Sequence, residues 1–572
     1  MMKEFLVALL IASNLITTAT AQAAGTGFPD AGAILQQVQP SPAPTFPPNS
    51  PWLLFDKSDD KEKRLLSSET FLLRGINITH NTIFDTATLS ALVADALGKN
   101  QSLSQLSDLA ARITGYYRSH GYPLARTIIP AQTIEAGVLR LQVIEPRYGH
   151  ITLDNQSRIR DPLLSATLGA LKSGGFVEES TLDRSLLLLS DLPGIIVVPS
   201  LKRGSENGTS DLLVNTRSGP SVSGNFGLNN HGNKYTGEAN LSGSMVVNNP
   251  FHRGDTLALS VLTSGPGVNY GNIAYDTLVN GDGLHLGGST SMLRYSFKTS
   301  AAPAGATAAS ALTGSGTAQV TSLWVKQALV RSREANVYGQ LKYDHLVLRD
   351  HLDAGGSIVA TDRHLDNMTA SLSGDFRDTW LTAGMTSWSL DASLGQLIFD
   401  DATAQAVNAA STNTSGQFSK LNASLLHIKN LGGQREWMLA IKGQLAGTNL
   451  DSSQKMVAGG PYSVRAYAAG AVSGDTGYLF TTELRQPLGF ALNGQVTATA
   501  FIDTATMTIN QKSYPGAGLN MATLSGTGLG LNWAGQNQYT GTAYVATPIG
   551  TKSPLVGSVK STQFSIEVQK RF

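Results

Sequence analysis

From Pro220 to the carboxy terminus, apolar residues recur at every second position. Leu257, Leu259 and Val261 alternate with Thr256, Ala258 and Ser260, and Trp388, Leu390, Ala392 and Leu394 oppose Ser389, Asp391 and Ser393. Val337, Leu341 and Tyr343 face away from Gln340, Lys342 and Asp344, and Trp437, Leu439 and Ile441 from Lys442 and Gln444. A period of two predicts β-strands. One apolar and one polar face per strand fits a closed barrel with lipid outside and water inside. Residues 220–572 number 353, so sixteen strands would each have about 22 residues, of which a spanning strand uses about 9–11. The remainder is left for turns and outer loops, expected at Ala301–Ala318 and Asp400–Ser415. A soluble β-sandwich would also alternate, but this length and glycine content argue against it.

Between residues 70 and 217 the period is that of helices broken by short strands. Phe71–Ile78 reads as a strand. Asp85 caps a helix carrying Leu89, Leu92, Val93, Ala96 and Leu97, and Ser102 with Gln105 forms a capping box for a second helix. On that helix Leu106, Leu109, Ala110, Ile113 and Tyr117 share a face. Gly121-Tyr122-Pro123 ends it, and strands follow at Ala125–Ile129 and Val138–Ile144. The order then repeats: a strand at Ile151–Leu153, helices marked by Leu164, Leu168, Leu171 and by Leu182, Leu186, Leu189, and strands at Ile195–Val198 and Asp211–Val214. Two small α+β units are expected at 70–146 and 147–218, ahead of a barrel at 219–572. Such a unit leaves a sheet edge open, which can pair with an extended partner strand.

The amino terminus has Lys3, an apolar run from Phe5 to Ile16 and Ala21-Gln22-Ala23, the pattern of a cleaved secretory signal peptide over 1–23. Residues 24–39 hold a short helix that Asp30 can cap, with Ile34, Leu35 and Val38 on one face. Residues 40–69 begin as a proline-rich spacer. A tethered helix of this kind is either a mobile plug or an amphipathic tail. No later segment has the roughly 18 apolar residues of a membrane helix, so a membrane crossing requires a closed barrel.

Composition narrows the chemistry. Among 572 residues there are 59 glycines and no cysteine, the net charge is +1 and charged residues make up 15%. Disulfides and thiolate metal sites are thereby excluded, and nucleic-acid binding lacks its clustered basic face. The ten histidines show no metal-ligand spacing, and no nucleophile elbow or phosphate loop is present. Gly526-x-Gly528-x-Gly530 lies among strand residues and reads as strand or turn. Asp400-Asp401 reads as a solvated loop pair. The reading is a non-enzyme without cofactor or metal.

The unusual segment is Gly459-Gly460-Pro461-Tyr462-Ser463-Val464-Arg465-Ala466-Tyr467, followed by Gly474-Asp475-Thr476-Gly477, Glu483-Leu484-Arg485-Gln486-Pro487 and Phe501-Ile502-Asp503. In this order the motifs resemble the inward-folded loop of two-partner secretion outer-membrane transporters of the haemolysin/haemagglutinin type: Val-Arg-Gly-Tyr, Gly-Asp-x-Gly, Glu-Leu-Arg-x-Pro and Phe-x-Asp. The chain departs from the pattern at Ala466, where the family has glycine. The paired α+β units resemble the polypeptide-transport-associated (POTRA) domains of that outer-membrane superfamily, and terminal Phe572 resembles its sorting signal. The resemblance implies a mostly β fold: a 16-stranded antiparallel transmembrane barrel, two POTRA-like domains and an amino-terminal plug helix. It implies an inward loop near 455–478, with Arg465, flanked by Val464 and Tyr467, paired to Asp503 on the wall beside Phe501. It also implies an outer-membrane protein with its POTRA units in the periplasm. Its expected partners are a large, β-helical secreted exoprotein, outer-membrane lipid and the barrel assembly machinery. An outer-membrane insertase would share the POTRA units and arginine loop, whereas a general porin has no use for residues 70–217.

Overall fold

The computed structural model describes residues 28–38, 54–55, 70–134, 136–299, 312–354, 357–379, 382–556 and 559–572. The signal peptide expected at 1–23, most of the spacer at 40–69 and residues 301–311 of an expected loop lie outside the described residues.

In the first unit, Ser102 accepts from the Gln105 amide and the Gln105 side chain returns the bond, so the capping box starts the helix Leu103–Ser119. All five residues of its predicted face are buried, each large side chain stabilising the unit by about 1.5–3 kcal/mol. They cover a three-stranded sheet in which Gly75–Thr79 runs parallel and Arg126–Ile128 antiparallel to Val138–Ile144. The single strand expected over Phe71–Ile78 is instead broken: Thr70–Leu72 leaves to pair with Asn100–Ser102. Asp85 caps only Thr86–Ala91, and a separate 3-10 turn holds Ala94–Ala96.

The second unit repeats the plan with helices Asp161–Thr167 and Glu179–Ser190. In its sheet, Thr209–Ser218 lies between Ile195–Arg203 and Arg147–Gln156. The edge strand Ile195–Arg203 is not open along its whole length, because Leu54–Phe55 of the spacer pairs parallel to it at Ser200 and Leu201.

Sixteen antiparallel strands then close a barrel, from Val222–Asn229 to Gln563–Arg571, which pair with each other at the seam. The short strand Ser357–Ala360 only extends the hairpin of Ala335–Ala354. Residues predicted to face lipid do point outward and are exposed, among them Val261, Leu341, Leu390, Leu394 and Ile441. No helix among the described residues is long and apolar enough to cross a membrane. Because both chain ends of the barrel share one rim, that rim faces the α+β units. Leu312–Arg331 and Ala335–Ala354, with 20 residues each, exceed the span of a bilayer and project from the opposite rim.

Three expectations about this region are corrected. Residues 312–318 are strand rather than loop, because each pairs on both sides, as Ala318 does with Leu293 and Leu348. Asp400–Ser415 is not featureless: it holds the helix Ala402–Ala409. Asp401 caps that helix through the Thr403 and Ala404 amides, and Asp400 pairs with His364 at 2.7 Å, so neither is merely solvated. Nor is the lumen uniformly polar. Towards the outer rim Leu293, Tyr295, Phe297, Leu348 and Leu365 form an inward apolar cluster.

The helix Ala31–Val38 packs on that cluster through Ala31, Ile34 and Leu35. Phe28 stacks on Phe297 at a 5.6 Å ring separation and meets Tyr235 edge-on at 5.7 Å. Asp30 accepts the Ala33 amide at 2.8 Å, as an N-cap should. Of the two sequence readings, plug or tail, the helix lies in the lumen as a plug.

Candidate functional site: an arginine loop locked to the barrel wall

Between the strands Arg435–Ala446 and Thr476–Ala491 the chain turns inward from the outer rim. A small hairpin, Met456–Ala458 paired with Val472–Gly474, carries the loop down. Gly459 and Gly460 reverse it at φ of 98° and 102°, conformations that disfavour a side chain. Turns closed by Tyr467 N–H to Val464 C=O and Gly460 N–H to Tyr467 C=O then present Arg465 to the wall. Val464, Ala466 and Tyr467 are buried in a cluster with Phe501, Leu524 and Tyr544.

Arg465 reaches two carboxylates on neighbouring strands. Its Nε and Nη2 donate to Asp503 at 2.8 and 2.7 Å, and its Nη1 donates to Glu483 at 2.6 Å. Its backbone N–H adds a bond to Asp503 at 3.1 Å. The guanidinium lies 3.4 Å above the Phe501 ring, a cation–π arrangement. Burial opposes the charge of Arg465, and the bonds and charges of Asp503 and Glu483 offset that cost. Asp503 is fully buried. A buried carboxylate of this kind is tolerable only while paired.

The flanking motif residues separate into two groups. Arg485 joins the site by donating to Glu483 at 2.9 and 3.1 Å, which orients that carboxylate toward Arg465. Asp475 sits at the loop root and accepts the amides of Leu450 and Gln511 at 3.1 and 2.8 Å, with Lys455 at 2.9 Å. Gly474 and Gly477 let that root lie close to the next strand, where a Cβ would come within 2.6 Å of the carbonyls of Thr508 and Thr506. Pro487 is not brought to the arginine; it marks a register shift toward the far end of its strand. Phe572 is at the seam: its backbone exchanges two 3.0 Å bonds with Gly224 and its ring stacks on Phe226 at 5.6 Å.

Ala466 is not at positive φ, so its methyl imposes no backbone strain. The methyl faces Gly526, which pairs with Asp503 on the adjacent strand. Gly528 in turn leaves room for the Phe501 ring, 2.5 Å from where a Cβ would stand. Of the glycine run read from sequence as strand or turn, Gly526 is therefore the floor on which the loop rests. Its signal was the two-residue spacing, which puts every glycine on one face of a strand.

The comparisons with known proteins agree with this architecture. The family model described as haemolysin secretion/activation protein ShlB/FhaC/HecB matches residues 208–533, and that of the ShlB-type POTRA domain matches residues 71–146. The heme/hemopexin transporter protein HuxB of Haemophilus influenzae (strain 86-028NP) is 26% identical over 492 residues, covering 85% of this chain and 84% of that protein. Among solved structures, CdiB from Escherichia coli superposes with a TM-score of 0.68 at 19% identity, over 90% of this chain and 93% of that one. CdiB from Acinetobacter baumannii gives 0.61 at 19%, over 94% and 96%. The family is one of transporters rather than enzymes. With its barrel, POTRA region and family match across more than half its length, this chain belongs to the haemolysin secretion/activation family ShlB/FhaC/HecB, the outer-membrane transporters of two-partner secretion.

Proposed function

We propose that the chain captures an unfolded exoprotein in the periplasm through its POTRA units and passes it through the barrel once plug and loop withdraw. The observation that carries this reading is the lumen itself. It is occupied by a helix and by a loop held through one guanidinium on two wall carboxylates. A permanently open porin has no need of such a removable closure. The boundaries that fit this division are a signal peptide at 1–23, a plug at 24–39, a linker at 40–69, POTRA units at 70–146 and 147–218, and a barrel at 219–572.

Roles follow from position. Arg465, held by Asp503 and Glu483 and backed by Phe501, keeps the loop seated; Val464 and Tyr467 anchor it, and Asp475 with Gly474 and Gly477 fixes its root. Strand edges of the POTRA sheets, such as Gly75–Thr79 and Arg147–Gln156, offer backbone pairing to an extended client irrespective of its sequence. Outward apolar rows contact outer-membrane lipid, and Phe572 marks the chain for the barrel assembly machinery. No nucleotide motif supplies energy, so folding of the client outside the cell, into a β-helix, gives the direction. A client locked in an unfoldable form should then leave the cell far more slowly.

The test is export of the exoprotein from cells carrying wild type, Arg465→Ala or no transporter, with barrel abundance checked in the outer membrane. Client in the medium only with wild type, at equal barrel levels, supports both transport and the lock. Loss only in the deletion keeps transport and removes the lock. Export unchanged in all three overturns the reading and favours the insertase.

A further inference from the structure

A second arginine, outside every motif, is buried more deeply than Arg465. Arg363 opens the strand Arg363–Asp378 near the outer rim, with its side chain 3% exposed. Three carboxylates from three separate elements converge on it. Asp350 on the neighbouring strand lies at 2.7 Å, Asp451 at the root of the inward loop at 2.5 Å, and Asp30 at the start of the plug helix at 3.3 Å. Two of these carboxylates also hold the plug and loop directly. Asp350 accepts the Ala31 amide at 2.8 Å and the Tyr295 hydroxyl at 2.6 Å, and Asp30 accepts the Ser452 hydroxyl at 2.8 Å.

The plug and loop also touch each other along the helix. Gly32 lies so close to the loop that a Cβ there would stand 2.6 Å from the Ser453 amide nitrogen. Gln36 donates to the Ser453 carbonyl. At the other end Asn233 bridges Gln37 at 3.3 Å and the Ala469 carbonyl at 3.1 Å, four residues beyond Arg465. The plug therefore meets the loop both at its root and on the limb that returns from its tip.

We propose that Arg363 is a second lock, a positioning residue that ties plug, barrel wall and loop root into one body, so that plug and arginine loop leave their seats in a single step. Each half leaves bonds of the other unmade if it goes alone: a departing plug takes the Ala31 amide from Asp350 and Asp30 from Arg363 and Ser452, and a departing loop takes Asp451 from Arg363 and Ser452 from Asp30. Opening the pore is then all-or-none, which keeps the membrane sealed until a client displaces the whole assembly.

The absence of native cysteine makes the test direct, since an introduced thiol is the only one. Leu35→Cys reports the plug and Val464→Cys the loop; both positions are buried, and each is labelled with a water-soluble maleimide in the full-length protein in lipid vesicles. Arg363→Gln is expected to raise both labelling rates together, by at least about tenfold, as expected for an unpaired cluster of buried charge. Gly32→Leu, which attacks the same junction from the plug and leaves the wall intact, should do the same and covers the case in which Arg363→Gln fails to insert. Faster labelling of Leu35→Cys with Val464→Cys unchanged in either background overturns the coupling, and no change at either position overturns the lock. Export is not read in this experiment, so its failure leaves the transport reading standing.

Discussion

The contact between Ala466 and Gly526 allows a size-exchange experiment on the arginine loop. A methyl added by Gly526→Ala would stand well under 3.0 Å from the Ala466 Cβ, whereas carbons in contact sit about 3.5–4.0 Å apart. Both positions are fixed by backbone, so the loop must lift by roughly 1 Å. Arg465 bonds Asp503 and Glu483 at 2.6–2.8 Å, and a shift of that size takes those bonds beyond useful range. Overpacking of this kind costs about 1–3 kcal/mol, and 2 kcal/mol is a roughly thirtyfold rise in the unseated loop. Ala466→Gly alone removes one buried methyl, about 1 kcal/mol. The double variant moves the methyl from loop to wall and should return close to wild type, a coupling of about 3 kcal/mol. Hydrogen exchange of the amides from Val464 to Tyr467 measures the seated fraction. The expected order is Gly526→Ala fastest, Ala466→Gly intermediate and the double near wild type. A double variant exchanging as fast as Gly526→Ala would refute the account of the glycine floor.

Other expectations concern separate parts of the molecule. Arg465→Lys keeps the charge but cannot span Asp503 and Glu483 together, so it should lose about 1.5–3 kcal/mol of loop seating, seen as faster exchange of the same amides. In the first POTRA unit, burial raises the pKa of Glu145, but bonds from Thr82, Tyr117 and the Ile83 amide outweigh it and leave it below its ordinary 4.5. A lowered carboxylate pKa contributes stability at neutral pH that is lost as pH falls through it. Glu145→Gln should therefore speed exchange across this unit at pH 7, by about 1–2 kcal/mol, with the gap to wild type closing below pH 4.5. Arg331 joins the second unit to the barrel rim through two 2.7 Å bonds to Asp191. Arg331→Ala should leave Asp191 without its partner across the junction and cost about 3 kcal/mol of docking, read as protease access to the junction. Ser102→Ala removes the capping box and should cost the first unit about 1 kcal/mol, measured by exchange of the amides at the start of Leu103–Ser119.

Much of the fold is legible because it is local. The helix Leu103–Ser119 follows from its cap and from five apolar residues at helical spacing, and the barrel follows from a period of two that persists over many strands. Composition misled where pairing decides: residues 312–318 are small and polar enough for a loop, yet strands on both sides give every backbone group a partner, and the segment stays extended. The break in the first predicted strand has the same origin, since Thr70–Leu72 finds its partner at Asn100–Ser102.

By itself the sequence determined the kind of molecule: the order of units, the barrel's alternating faces, and the motif residues that single out Arg465 and Asp503. What only the tertiary structure decided is what those residues meet. Asp30, Asp350, Arg363 and Asp451 are scattered over more than four hundred positions and form no pattern in the chain. They come together because barrel closure brings distant strand ends to one rim and the plug enters the same lumen. Gly526 likewise looks like any strand glycine until the inward loop lays Ala466 upon it. Periodicity records which face a residue takes, since that depends on its own strand or helix. Contacts across a lumen depend on the closure of all sixteen strands, and no local stretch of sequence encodes them.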